Sequence, residues 1–183
     1  MATRTATAAL LVAAALGTGA CGDKKPAVDN SVTPATAPPA TTATQPAATG
    51  PTVQDLKISK DLKKKPTIAK PGGDPPTTLY SRDIVKGKGK KAQTGDGVTV
   101  QYVGVSYSTG QQFDASWDNG APFQFQLGAQ MVISGWDQGV AGMRVGGRRM
   151  LVIPPDLAYG SAGRPGIAPN ETLIFVIDLK KIG

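Results

Sequence analysis

Val132-Ile133-Ser134-Gly135-Trp136-Asp137-Gln138-Gly139-Val140 is the stretch on which the reading of the fold turns. Ile133, Trp136 and Val140 recur three and four apart, the spacing of one apolar face on a short helix. Trp136 falls on the first turn, and Gly135 before it carries no side chain. A tryptophan so placed serves as a core residue or as the floor of a pocket, and the spacing leaves both open.

Outward from this helix the period changes to two. Phe123-Gln124-Phe125-Gln126-Leu127 alternates before it, as do Arg149, Leu151 and Ile153 after it. Further out, the turn Gly95-Asp96-Gly97 leads into Val98-Thr99-Val100-Gln101-Tyr102-Val103, where Val98, Val100 and Tyr102 share a face, and a hairpin signal follows at Ser108-Thr109-Gly110. Residues 172–179 form a strongly apolar closing strand. Residues 53–58 and 79–85 read as edge strands separated by Pro and Gly turns in residues 71–76, with flanking lysines that discourage edge pairing. Val100, Phe125, Leu151 and Ile177 read as plain core, and Arg148 and Arg149 as a solvated strand end. Several strands and one short helix predict an α+β domain, an antiparallel sheet packed on that helix. Between them, residues 154–172 form a long connection without secondary structure of its own; its prolines and Tyr159 predict an ordered, functional loop.

Composition removes whole classes of chemistry. The 183 residues include no histidine and a single cysteine, Cys21. Histidine acid/base catalysis, Ser-His-Asp and Cys-His nucleophiles, intrachain disulfides and zinc sites built from His or Cys are therefore excluded. No cofactor is called for. All four phenylalanines and both tryptophans follow residue 91, so the core is expected mainly in residues 92–183. The net charge of +7 belongs elsewhere: residues 54–91 carry eleven Lys or Arg against four Asp, and residues 92–183 carry six against seven acids. That basic lead-in reads as a solvated, lysine-rich tether or edge, or as a surface drawn to an anionic envelope. Its lysines lack interleaved aromatics, so nucleic acid is not an expected partner.

The first residues read as an export signal. Arg4 precedes an uncharged run over residues 5–20 that includes Leu10, Leu11, Val12 and Leu16, too short to span a membrane. The run ends in Thr18-Gly19-Ala20-Cys21, which resembles the lipobox of bacterial lipoproteins, with Thr18 where an aliphatic residue is usual. Residues 1–21 are thus expected to be a lipoprotein signal with Cys21 lipidated, or else a secretion signal cleaved after Ala20. Residues 22–52, rich in Pro, Thr and Ala, have too little apolar surface to offset ordering and are expected to form an extended tether of up to about 100 Å, at about 3.1 Å per residue. Residues 53–183 are the folded domain.

Phe113-Asp114, Pro122-Phe123, Val132-Ile133-Ser134-Gly135-Trp136, Ala158-Tyr159-Gly160, Pro165-Gly166-Ile167 and Thr172-Leu173-Ile174-Phe175 occur in an order and spacing that resemble the signature of FKBP-type peptidyl-prolyl cis-trans isomerases. The resemblance covers about residues 77–183. It implies an antiparallel sheet wrapped around a short helix, with Trp136 as pocket floor. Tyr102, Phe113, Phe123, Val132, Ile133 and Phe175 would form the walls, joined by Tyr159 and Ile167 from the long loop. Asp114 matches the family's pocket carboxylate, and the Ile133 N–H and Tyr159 hydroxyl match its hydrogen bonds to ligand carbonyls. The sequence departs from the family at Met131, Asn119 and Arg164, where Glu, Arg and His are common, and the loop is one residue shorter near Ala168-Pro169-Asn170.

The function this implies is rotation about X-Pro bonds in exported polypeptides by a monomer anchored through lipidated Cys21 on the outer side of the cell membrane, or secreted. The same pocket would take a macrolide ligand. A module of another class, a non-catalytic holdase or a peptide- or macrolide-binding domain, would use that pocket without turnover.

Overall fold

The period-two stretches and the one helical stretch assemble, in a computed structural model describing residues 52–183, into a six-stranded antiparallel sheet with a short helix on one face. The expected signal, Cys21 and residues 22–51 of the tether lie outside the described residues. In chain order the strands are β1 (Tyr80–Val85), β2 (Gly97–Ser106), β3 (Gln112–Ala115), β4 (Phe123–Gln126), β5 (Gly147–Ile153) and β6 (Leu173–Ile182), with the helix α1 (Ser134–Val140) between β4 and β5. The sheet runs β1-β5-β6-β2-β3, and β4 pairs with the first half of β2 while β3 pairs with its second half.

Successive residues of a strand point to opposite faces, so a strand apolar at every position needs cover on both sides. The second half of β2 and the first seven residues of β6 are buried at every position and need such cover. Val98, Val100 and Tyr102 of β2, with Leu173, Phe175, Ile177 and Leu179 of β6, enter the cluster beneath α1. Val103, Val105, Ile174 and Val176 enter a second cluster on the opposite face.

The helix lies close on β5 because two glycines four apart face it. A Cβ on Gly135 would stand 2.3 Å from Ile153 Cγ2, and one on Gly139 would stand 2.5 Å from Leu151 Cδ1. Asp137 ties the preceding loop to the helix by accepting from the N–H groups of Gly128 at 2.8 Å and Gln130 at 3.2 Å. At the other end, Arg149 Nη1 donates to the carbonyls of Gly139 at 2.8 Å and Ala141 at 3.3 Å, and its Nε donates to Asp83 at 2.6 Å. Arg149 is therefore a helix-capping residue rather than a solvated strand end, because α1 leaves its last carbonyls open above β5.

The second face is covered by the lead-in, which corrects the expectations for residues 53–58 and for Arg148. Residues 53–58 form no strand. A single 3-10 turn, Val53–Asp55, is followed by extended chain that lays Val53, Leu56, Ile58 and Ile68 on the sheet. Burial of each such side chain contributes about 1.5–3 kcal/mol. Arginines satisfy the strap's carbonyls instead of a neighbouring strand. Arg82 donates to Gln54 O and, at 2.5 Å, to Leu56 O; Arg148 donates to Ser59 O at 2.7 Å and Lys64 O at 3.1 Å. Arg148 is 0% exposed and forms a bidentate pair with Asp178 at 2.5 and 2.7 Å, so it too is no solvated end. The lysines of residues 54–91 stay exposed while the chain bearing them is packed down. Residues 79–85 do form an edge strand, β1.

Residues 154–172 carry more structure than expected, a 3-10 turn at Pro155–Leu157 and a bridge between Arg164 and Ile167. The loop is stitched internally, with Ala158 N and Gly160 N both donating to Pro155 O at 2.9 Å and Asn170 N donating to Gly160 O at 2.9 Å. Gly163 has φ +63, and a Cβ there would meet Ile167 O at 2.6 Å, so only glycine closes this turn comfortably.

Candidate active site

Aromatic side chains from five different elements converge on the helix face of the sheet. Trp136, in the first turn of α1, is 4% exposed and packs edge-on to Tyr102 at 5.0 Å and to Phe175 at 5.2 Å between ring centroids. Phe113 meets Phe175 at 5.5 Å and 85°, and Phe123 meets Trp136 at 6.1 Å and 80°. Edge-to-face pairs of this kind contribute about 0.5–1.5 kcal/mol each beyond burial and fix ring orientation. They surround a cavity of about 250 Å³, with Val132 and Ile133 entering its lining from the loop before α1. Trp136 is thus both core and floor, the two readings its spacing left open. Its indole N–H has no acceptor among the described residues.

Gly104 makes the convergence possible. A Cβ on it would lie 2.7 Å from both Phe113 Cζ and Phe175 Cε1, so any side chain would displace the two rings. Nothing near Gly104 in the sequence marks it, because the rings it accommodates stand at 113 and 175.

Two polar groups reach the cavity in fixed positions. The Tyr102 hydroxyl donates to Asp114 Oδ2 at 2.6 Å. Burial, then the hydrogen bond to the Asp114 carboxylate and that group's negative charge, raise the phenol of Tyr102 well above its ordinary value, so it stays protonated. Ser116 holds the same residue by its backbone: Tyr102 N donates to Ser116 Oγ at 2.9 Å, and Ser116 N donates to Tyr102 O at 3.1 Å. Tyr159 comes from the long loop, and its hydroxyl accepts a hydrogen bond from Arg164 Nη1 at 2.8 Å. The Arg164 guanidinium also lies over the Tyr159 ring, 5.0 Å from its centroid. With its oxygen occupied by Arg164, the Tyr159 hydrogen is available to an acceptor in the cavity.

Nine of the ten residues expected to form the pocket line this one cavity: Tyr102, Phe113, Asp114, Phe123, Val132, Ile133, Trp136, Tyr159 and Phe175. Ile167 does not. It is 5% exposed and buried in the cluster beneath α1, where its bridge to Arg164 turns it inward. Met131 and Arg164 line the cavity in addition, Met131 with 66% of its surface exposed at the mouth. Both are positions where the sequence departs from the family pattern, which was the signal that marked them. Asn119 is exposed and not in the lining.

The model of the FKBP-type peptidyl-prolyl cis-trans isomerases matches residues 88–180. This chain belongs to the FKBP-type peptidyl-prolyl cis-trans isomerase family. It is 62% identical over 118 residues to an FK506-binding protein of Streptomyces anulatus, an alignment covering 63% of this chain and 95% of that protein. A probable FK506-binding protein of Corynebacterium glutamicum is 47% identical over 116 residues, covering 63% of this chain and 97% of that protein. Among solved structures, AtFKBP13 superposes with a TM-score of 0.54 at 38% identity, covering 57% of this chain and 93% of that one. All residues lining the FKBP-type cavity fall inside the matched span, whereas β1 and the strap precede it. Membership in this isomerase family favours catalysis of X-Pro rotation over the non-catalytic holdase.

Proposed function

We propose that this isomerase acts on exported polypeptides from a lipid anchor at Cys21, and that its aromatic cavity accelerates X-Pro rotation by favouring the twisted amide over the planar one. Rotation disrupts amide resonance against a barrier of about 18–20 kcal/mol. The twisted amide has a less polarised carbonyl and a more pyramidal nitrogen, so an apolar, aromatic enclosure disfavours the planar ground state more than the transition state. Tyr159, its hydroxyl oxygen already engaged by Arg164, donates to a substrate carbonyl. The Ile133 N–H, which makes no hydrogen bond among the described residues, donates to another. Such interactions count toward rate only where they are stronger in the transition state. A hundred-thousand-fold acceleration needs about 7 kcal/mol of this differential binding.

The observation that carries the reading is the enclosure itself, a cavity of about 250 Å³ walled by Tyr102, Phe113, Phe123, Trp136 and Phe175, in a chain without histidine. Phe113→Leu and Tyr159→Phe should keep the fold, read by circular dichroism, and lower kcat/KM on X-Pro peptides by about ten-fold or more. Full activity in both folded variants would contradict the pocket assignment. A macrolide of the type named in its relatives is a second ligand of the cavity and should compete with peptide.

The anchor rests on sequence. Cys21 is the sole thiol and follows a short apolar run, and the Pro-rich residues 22–52 would hold the domain away from the membrane. Cys21→Ala should move the protein into the soluble fraction with unchanged activity per molecule; a variant that stays membrane-bound and uncleaved would contradict this.

A further inference from the structure

Phe113 borders two spaces. One side closes the proline cavity, and the other lines a second cavity of about 440 Å³ to which the isomerase reading gives no role. The β2–β3 hairpin supplies Ser108, Thr109, Gln111 and Gln112 to this second space, and the end of the 154–172 loop supplies Glu171. Glu171 is its only ionisable side chain.

The environment of Glu171 is unusual for a surface carboxylate. It is 9% exposed, and its two oxygens accept from Ser108 N at 2.9 Å and from Ser108 Oγ at 2.7 Å, both neutral donors. It takes part in none of the ion pairs among the described residues. Lys70 lies against Gly110 of the same hairpin but is outside the lining. A carboxylate has about four acceptor positions, so the serine leaves capacity for further donors. A cationic side chain entering this cavity gains a charge-assisted hydrogen bond and meets no competing cation in the lining, whereas an anionic one is repelled.

Strand register sets the separation. Gly104 pairs with Phe175 and Ser106 with Leu173, so the path from the proline cavity to Glu171 follows the chain of β6 back toward its start. Glu171 precedes Phe175 by four residues, roughly 13 Å at about 3.3 Å per residue. An extended substrate advances by the same step. The side chain it brings to Glu171 therefore sits about three to four positions from the proline.

We propose that the second cavity extends the substrate groove past Phe113, and that Glu171 selects a Lys or Arg side chain about three to four residues from the isomerised proline. This rests on the proline-cavity reading above and names a substrate class within it.

The test uses the full chain and an uncharged X-Pro peptide in which Lys, Ala or Glu is placed in turn at each position up to four residues on either side of the proline. The quantity read is the ratio of kcat/KM for Lys over Ala, in the parent, in Glu171→Gln and in Gln111→Lys. At one position on one side, the parent should prefer Lys by roughly two- to fivefold, should disfavour Glu, and should lose the preference in added salt. Glu171→Gln should abolish it, and Gln111→Lys, a change at an exposed side chain of the lining, should turn it toward Glu; if Glu171→Gln does not fold, Gln111→Lys carries the test. A scan that is flat at every position in the parent, or a preference unchanged in the folded variants, would overturn the proposal. Activity on the all-alanine peptide separates the two readings: a parent active there but without a Lys preference sinks the groove alone, and a parent inactive there sinks the proline cavity and the groove with it.

Discussion

At Gly104 a missing side chain shapes the site as much as any present one. Gly104→Ala puts a methyl 2.7 Å from both Phe113 and Phe175, and the rings must move to admit it. The expected outcome is a loss of about 1–3 kcal/mol in unfolding free energy, measured by denaturant titration, with a fall in kcat/KM larger than that destabilisation explains. Tyr102 gives a second prediction at this scale. Its phenol is raised in the folded state by burial and by Asp114, so the folded state holds that proton more tightly than the unfolded chain does. The resulting stability is complete below about pH 10, the ordinary tyrosine value, and is lost as pH rises past it. The thermal midpoint should therefore be level on the neutral side and decline above about pH 10, with a shallower decline in Tyr102→Phe. The aromatic residues themselves were legible in sequence because their motifs stand in order. Gly104 was not, since its neighbours in space are distant in the chain, and Ile167, paired with Arg164 across the Pro165-Gly166 turn, packs in the core cluster outside the cavity lining.

Between elements, the pairing of Arg148 with Asp178 joins β5, β6 and the strap. Both groups are buried, and Arg148 also serves the carbonyls of Ser59 and Lys64. Arg148→Ala leaves Asp178 buried without its cation and should cost about 3–5 kcal/mol, measured by denaturant titration. Loss of the strap's contacts should also expose it to limited proteolysis near residues 59–64. A wild-type midpoint in this variant would contradict the role assigned to the pair. Alternation located β2, β4 and β5, an apolar run located β6, and helical spacing located α1, because each pattern is set by local burial. The strap escaped the same logic. Residues 53–58 alternate as a strand would, but their side chains pack onto the face of a sheet whose ladder they never join. Arg148, which holds it together with Arg82, read as solvated because its partners are strap carbonyls and an aspartate thirty residues away, which no local pattern displays.

Across the whole molecule, a sheet buried on both faces supports a cavity on one of them, and the basic lead-in serves as the cover of the other. The absence of histidine now bears on mechanism. A route through proton transfer would make the rate follow the titration of its acid or base. A route through stabilisation of a twisted amide would not, and Tyr102, the buried phenol of the site, stays protonated across the neutral range. The most direct test is kcat/KM on an uncharged X-Pro peptide from about pH 6 to 8, with circular dichroism confirming the fold at each point. The account predicts a level profile that drops uniformly in Phe113→Leu. A steep slope or a bell within that window, with the fold intact throughout, would contradict it.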